Sequence, residues 1–179
     1  MSRVYLSVVV FIIVLAIPVD GHARRPKNAD TITFDPVSLV FNMLGAEYQM
    51  NLDRRSAISA RGGLYFWNYP GWKSSGISVG AGYRRYLRPT APNGLYWMVD
   101  ANAVLVSASY DVWKGSETTS GLIFGPGAYF GWAKTWRNGL YVDGRLGAAY
   151  YLGGMTVRGT DFPFGGFSPV AAVGVGYNF

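Results

Sequence analysis

Six charged residues stand out because they interrupt stretches that otherwise alternate between apolar and small or aromatic side chains: Glu47, Arg61, Arg84, Asp100, Asp143 and Arg145. Three acids and three arginines are material for ion pairs. Acid–base catalysis by two carboxyls needs the pair to differ in their hold on a proton, whereas acids matched by arginines are set for pairing. The single histidine, His22, falls in a segment expected to be removed, which leaves the mature chain without a His-based dyad, triad or metal site. No cysteine is present, so there is no thiol nucleophile, thiolate metal site, disulfide or acylated lipoprotein cysteine. Ser107, Ser109 and Ser116 have no visible base. Gly80-Ala81-Gly82 looks like a fragment of a phosphate loop but neither opens a helix nor brings the required Lys and Ser/Thr. The expectation is therefore no catalytic residue, no cofactor and no metal, with the six charges joined in a buried network alongside Asn102 and several tyrosines.

The elements that must carry these charges read as strands. From Leu140 to Leu152, one face collects Leu140, Val142, Gly144, Leu146, Ala148, Tyr150 and Leu152, and the other Tyr141, Asp143, Arg145, Gly147, Ala149 and Tyr151. This period of two is the strand signature. The same test succeeds for Ile58–Trp67, Ile77–Arg84, Leu95–Leu105 and Leu122–Trp132, and two further strands frame these, Leu44–Met50 with Glu47 inward and Pro169–Phe179. Single-chain bacterial barrels have an even number of strands, so an eighth, short one is placed at Ala29–Asp35 around Ile32 and Phe34, followed by an irregular or short helical insert over Pro36–Asn42. Connections near Leu52–Arg55, Arg88–Gly94 and Thr135–Gly139 read as short turns. Those near Asn68–Ser74, Tyr110–Thr118 and Gly153–Ser168 read as longer loops on the opposite side. The fold class is all-β, an eight-stranded antiparallel up-and-down transmembrane barrel.

Composition agrees. Only 15% of residues are charged while half are apolar and 16% aromatic, against roughly 25% charged in ordinary soluble domains. Many of the 24 glycines lie inside the alternating runs, where they leave room for long inward side chains. The net charge of +6 is spread over termini, turns and single strand positions, unlike the clustered footprint of a nucleic-acid binder. Aromatics gather at both ends of the strands, as two interfacial belts would require.

The N-terminus supplies an address. Arg3 precedes an apolar run from Val4 to Val19, broken at Pro18, and Gly21-His22-Ala23 offers a small-x-small cleavage site. A retained membrane anchor is the competing reading, and Arg24, Arg25 and Lys27 favour it. Because the rest of the chain alternates as a barrel, residues 1–23 are expected to be a signal peptide and 24–179 the barrel domain.

The leader ending Gly21-His22-Ala23, the repeated alternating strands and the terminal Val173-Gly174-Val175-Gly176-Tyr177-Asn178-Phe179 together resemble the small eight-stranded bacterial outer-membrane proteins. That class includes outer-membrane protein X and the membrane domain of outer-membrane protein A. Phe34-Asp35-Pro36-Val37-Ser38-Leu39-Val40-Phe41 with Gly45-Ala46-Glu47-Tyr48 also looks like the opening of an uncharacterised family of such barrels, which brings no activity to transfer. The resemblance implies an outer-membrane location in a Gram-negative bacterium. It also implies a monomer in contact with outer-membrane lipid and lipopolysaccharide, and a terminal signal for the barrel-assembly machinery carried by Val173, Val175, Tyr177 and Phe179. The leading functional expectation is a non-enzymatic envelope protein with a structural or surface-contact role. Its outer rim would be Trp67, Trp72, Lys73, Trp113, Lys114 and Arg158. The alternatives are a narrow pore or conduit for small or apolar solutes, a lipid-modifying enzyme, and a soluble periplasmic barrel, the last of which requires polar outward faces that these strands lack.

Overall fold

A computed structural model describes residues 29–40, 42–69, 72–112, 115–157 and 160–179. The expected signal peptide, residues 1–23, lies outside the described residues, as do Trp113, Lys114 and Arg158 of the expected rim. Eight strands close into one antiparallel barrel in sequence order: β1 (Thr31–Phe34), β2 (Met43–Asn51), β3 (Ser56–Tyr69), β4 (Trp72–Tyr86), β5 (Gly94–Val112), β6 (Gly115–Thr135), β7 (Leu140–Val157) and β8 (Thr160–Asn178). The single helix among the described residues, α1 (Pro36–Val40), sits between β1 and β2.

The alternation sorts the side chains as the sequence pattern expects. Outward residues fall in register across neighbouring strands: Leu64 faces Ile77, Ile77 faces Leu105, and Leu105 faces Leu122. All four are exposed, as are Val79, Phe130 and Leu146. Soluble monomers rarely expose a contiguous apolar patch beyond a few hundred Å², and here the patch runs round the ring. Along β7 it reaches from Leu140 to Leu152, about 40 Å of strand or near 30 Å of height at a tilt of about 45°.

Closure rests on the shortest strand. β1 pairs with β2 through Thr31–Gln49 to Phe34–Ala46, and with β8 through Thr31–Asn178 to Phe34–Val175. Just below, the Phe179 amide donates to the Asp30 carbonyl at 2.9 Å. The buried Asn178 carboxamide donates to the carbonyls of Ala29 and Asp30 and to the Thr31 hydroxyl, each at 3.0 Å. The strand ends because Asp35 caps α1 immediately after it. The Asp35 carboxylate accepts from the amides of Val37 (2.9 Å) and Ser38 (3.1 Å), and Pro36 occupies the first helical position, where a missing N–H costs nothing. Asn42, at φ 56°, stops α1 in the left-handed conformation that Asn tolerates.

One expectation is corrected. The connections at one end are turns, residues 52–55, 87–93 and 136–139, but those at the other end are not loops: β3 and β4 stay paired out to Tyr69–Trp72, β5 and β6 to Val112–Gly115, and β7 and β8 to Val157–Thr160. Polar β-formers account for this. Ser107–Ser109 and Thr118–Ser120 lose the apolar signal yet keep the ladder, and the Ser109 and Thr118 hydroxyls meet across it at 3.0 Å. The extra length is therefore in strands of 18–21 residues, where about 9–11 cross a bilayer. In the β2–β3 turn, the Asp53 carboxylate accepts from the amides of Arg55 and Ser56, which hold its carboxyl below the usual range.

Replacing Asn178 with Ala removes three hydrogen bonds from the seam, to the carbonyls of Ala29 and Asp30 and to the Thr31 hydroxyl, and leaves the Ala29 carbonyl to the Asn51 carboxamide and the Asp30 carbonyl to the Phe179 amide. The expected loss is about 1–3 kcal/mol of unfolding free energy, read from urea titration of the folded protein in lipid vesicles, while an unchanged midpoint would show that the seam does not need this clamp.

Candidate functional site

The six charged residues meet in the lumen, contributed by five strands: Glu47 from β2, Arg61 from β3, Arg84 from β4, Asp100 from β5, and Asp143 and Arg145 from β7. Glu47 is the hub. Its carboxylate lies 3.3 Å from Arg61, 3.1 Å from Arg84 and 2.7 Å from Arg145. Arg61 reaches on to Asp100 at 2.7 Å, and Arg84 to Asp143 at 3.3 Å. The charges balance, three against three, as a buried set must if it is not to be ruinous to fold. The contact between Arg61 and Asp100 is close but poorly aligned, so neither Asp100 oxygen accepts a well-directed hydrogen bond and charge alone holds the pair.

Neutral residues complete the network, and spacing alone did not single them out. The Met98 sulfur sits 3.8–3.9 Å from guanidinium nitrogens of Arg61, Arg84 and Arg145, a soft neutral filler among three cations. Arg84 stacks 4.1 Å above the Tyr96 ring and donates to the Tyr141 hydroxyl at 2.7 Å. The Tyr96 hydroxyl donates to Asp143. Toward the turn end, Tyr86, Tyr96 and Tyr141 are almost completely buried with Ala57 and Ala133, and Gln49 bridges Asn51 and the Tyr86 hydroxyl at 2.8 and 3.2 Å. Inward parity was the available signal for Met98 and these tyrosines. Their packing depends on glycine: a methyl at Gly131 would overlap the Tyr96 phenol.

Above the network the lumen widens. A cavity of about 350 Å³ lies over Glu47, Arg61 and Arg145 and opens beside α1 between β2 and β8. Of the rim residues expected from sequence, the three within the described residues lie at the end of the β3–β4 hairpin. Trp67 is partly exposed at the barrel mouth, pairing with Ser74, and Lys73 is exposed on β4 opposite Asn68. Trp72 starts β4. The terminal set Val173, Val175, Tyr177 and Phe179 takes the outward side of β8 and the residue beyond it, with Tyr177 between Leu140 and Ile32. Among the described residues, no group of three metal-ligating side chains comes together.

Fold and site thus define an eight-stranded antiparallel barrel with a balanced ionic core. No family model and no curated protein matches the chain. Among solved structures it is similar to the crystal structure of Acinetobacter baumannii CarO, with a TM-score of 0.46 and 15% identity, covering 87% of this chain and 98% of that one.

Removing the hub leaves three guanidinium groups facing two acids. Glu47→Ala is expected to cost about 3–5 kcal/mol, whereas Met98→Leu, which keeps the volume, should cost less than about 1.5 kcal/mol. Equilibrium unfolding in vesicles measures both, and equal costs for the two would contradict the hub role.

Proposed function

We propose that this chain is a non-enzymatic, monomeric integral protein of the bacterial outer membrane: a plugged barrel that holds three long hairpins beyond the membrane for contact with lipopolysaccharide or an extracellular partner. The observation that carries this reading is the combination of a continuous apolar outer surface with a lumen filled by ion pairs. An apolar ring of bilayer height needs lipid around it. In lipid a sheet must close so that no backbone group is left without a partner, as this one does through β1 and β8.

Orientation follows from the same features. The turns at 52–55, 87–93 and 136–139, with Ala29 and Phe179, lie on the periplasmic side, and the paired extensions of β3–β8 on the outer side. Of the expected rim, Trp67, Trp72 and Lys73 belong to that outer part; Trp113 and Lys114 fall between β5 and β6 in sequence and Arg158 between β7 and β8, and their cations suit the phosphates of lipopolysaccharide. Val173, Val175, Tyr177 and Phe179 are the segment offered to the barrel-assembly machinery. A through-pore is less well supported, because Tyr86, Tyr96 and Tyr141 occupy the lumen at the turn end. An enzymatic role is less well supported as well, because each lumen acid is engaged by an arginine.

Fractionated cells provide the test. The protein should be recovered with outer membranes and run at a different apparent mass when left unboiled, whereas recovery from the soluble periplasm would overturn the reading. For the surface role, replacing Lys73, Lys114 and Arg158 together with Gln should weaken lipopolysaccharide binding by about tenfold or more and leave the folded gel band in place. Unchanged binding would remove lipopolysaccharide contact from the proposal.

A further inference from the structure

The barrel wall is not equally tall all round. β1 ends at Phe34 opposite Val175, and β2 begins at Met43 opposite Tyr65. From Gly174 upward, therefore, β8 has β7 on one side, paired without a break in register to Val157–Thr160, and on the other side no strand among the described residues. Of the described residues, the single turn of α1 stands in the gap. The Phe179 amide points toward β1 and that of Asn178 toward β7, so by the two-residue alternation of an antiparallel ladder the odd-numbered residues of β8 face the gap. Pro163 and Pro169 are both odd-numbered. Two positions on the open edge thus have no N–H to leave unpaired, and proline there also resists the addition of another strand.

An open edge at membrane depth is tolerated only where it is covered by protein or lines a wet cavity. Such a cavity is present. Phe34, Leu44 and Val173 form its apolar mouth, and Glu47, Arg61 and Arg145 its floor. Although the ionic cluster is balanced, its two most exposed members are both arginines: side-chain exposure is 19% for Arg61 and 13% for Arg145, against 9% for Glu47, 5% for Asp143, 2% for Arg84 and none for Asp100. The Nε–H of Arg61 has no partner. The remaining acid at the cavity, Asp35, is occupied in capping α1. A group entering from the side meets guanidinium donors first.

We propose that the gap between β8 and β2 is a lateral port, and that it binds a single-chain amphiphile with an anionic head, the head on Arg61 and Arg145 and the chain leaving along the apolar mouth into lipid. The inference rests on the membrane-barrel reading and adds a ligand site to it. A carboxylate or a phosphate offers the same chemistry to a guanidinium, and the volume of about 350 Å³ holds a head and the first part of an acyl chain.

The test uses the full mature chain refolded in dodecylmaltoside micelles, its folded state verified by the unboiled gel band. Palmitate labelled with ¹³C at the carboxyl is titrated and followed by NMR, with hexadecyl phosphate, hexadecanol and hexadecyltrimethylammonium as competitors. Saturable palmitate binding is expected, displaced by the phosphate, with the alcohol and the cation ineffective. Saturable palmitate binding that hexadecyl phosphate fails to displace would identify the head as a carboxylate, whereas equal displacement by hexadecanol would overturn the site.

Gly45 gives a variant that leaves the ion pairs in place: a Cβ there meets nothing within 4 Å, and the residue lines the cavity. Gly45→Phe should fold and bind palmitate about tenfold or more weakly, as should Arg145→Gln. A folded Gly45→Phe barrel that binds as tightly as the parent overturns the port, as does a folded parent barrel without saturable binding. Both leave the membrane-barrel reading standing. A chain that remains soluble without detergent overturns that reading and the port with it.

Discussion

Backbone hydrogen bonding without water is the constraint on which the rest of this structure depends. A sheet whose outer face is apolar all round has to pair its first strand with its last, and in this protein that duty falls on four residues, Thr31–Phe34, against Asn178–Val175. The seam is short, so it is reinforced from inside by the Asn178 carboxamide on the carbonyls of Ala29 and Asp30. The same economy leaves the upper part of β8 paired with β7 alone among the described residues, and the sequence answers with proline at two of the positions that would otherwise present an unpaired amide.

Closure also determines what fills the inside. Glu47 and Arg145 are 98 residues apart in sequence and meet only once the ring is formed. The ionic cluster therefore works as a lock on the closed state more than as a local stabiliser. An isolated buried ion pair is weak support for stability, but a balanced set of three acids and three arginines is costly to disrupt one member at a time. Met98 and the tyrosines extend the set into a floor at the turn end, and glycines of β4, β6 and β8 provide the space, Gly82 beside Met98, Gly131 beside Tyr96 and Gly174 beside Asp143. Rigid closure below and long paired hairpins above give the molecule two different ends, one sealed and one presented.

Much of this was legible in the sequence because a strand has a strict period. Parity placed Glu47, Arg61, Arg84, Asp100, Asp143 and Arg145 on one side of the wall, and the only interior available to five different strands was the same lumen. The even strand count of such barrels, and not the alternation, placed the short strand at Ile32 and Phe34 and the helical insert after it, with shifts of one or two residues at their ends. The period says nothing about where hydrogen bonding stops once both faces turn polar. Tyr110–Val112 and Gly115–Thr118 thus read as loop although they are strand. Nor does it reveal which neighbours touch: Met98 was visible as inward but not as the atom between three guanidinium groups. The gap above Phe34 was hidden for a further reason, since it arises from unequal strand lengths and not from any residue type, and Pro163 and Pro169 make sense only once the open edge is known.

The absence of cysteine in the chain makes the central claim, a closed barrel with its apolar face in lipid, directly measurable. Single cysteines placed in turn from Ala101 to Val106 on β5, spin-labelled and reconstituted into bilayers, report accessibility to oxygen and to a water-soluble nickel chelate by paramagnetic resonance. A closed barrel in lipid predicts a two-residue alternation, with labels at Ala101, Ala103 and Leu105 relaxed by oxygen and those at Asn102, Val104 and Val106 shielded from it. Uniform access of the nickel reagent along the strand, or loss of the alternation, would contradict it.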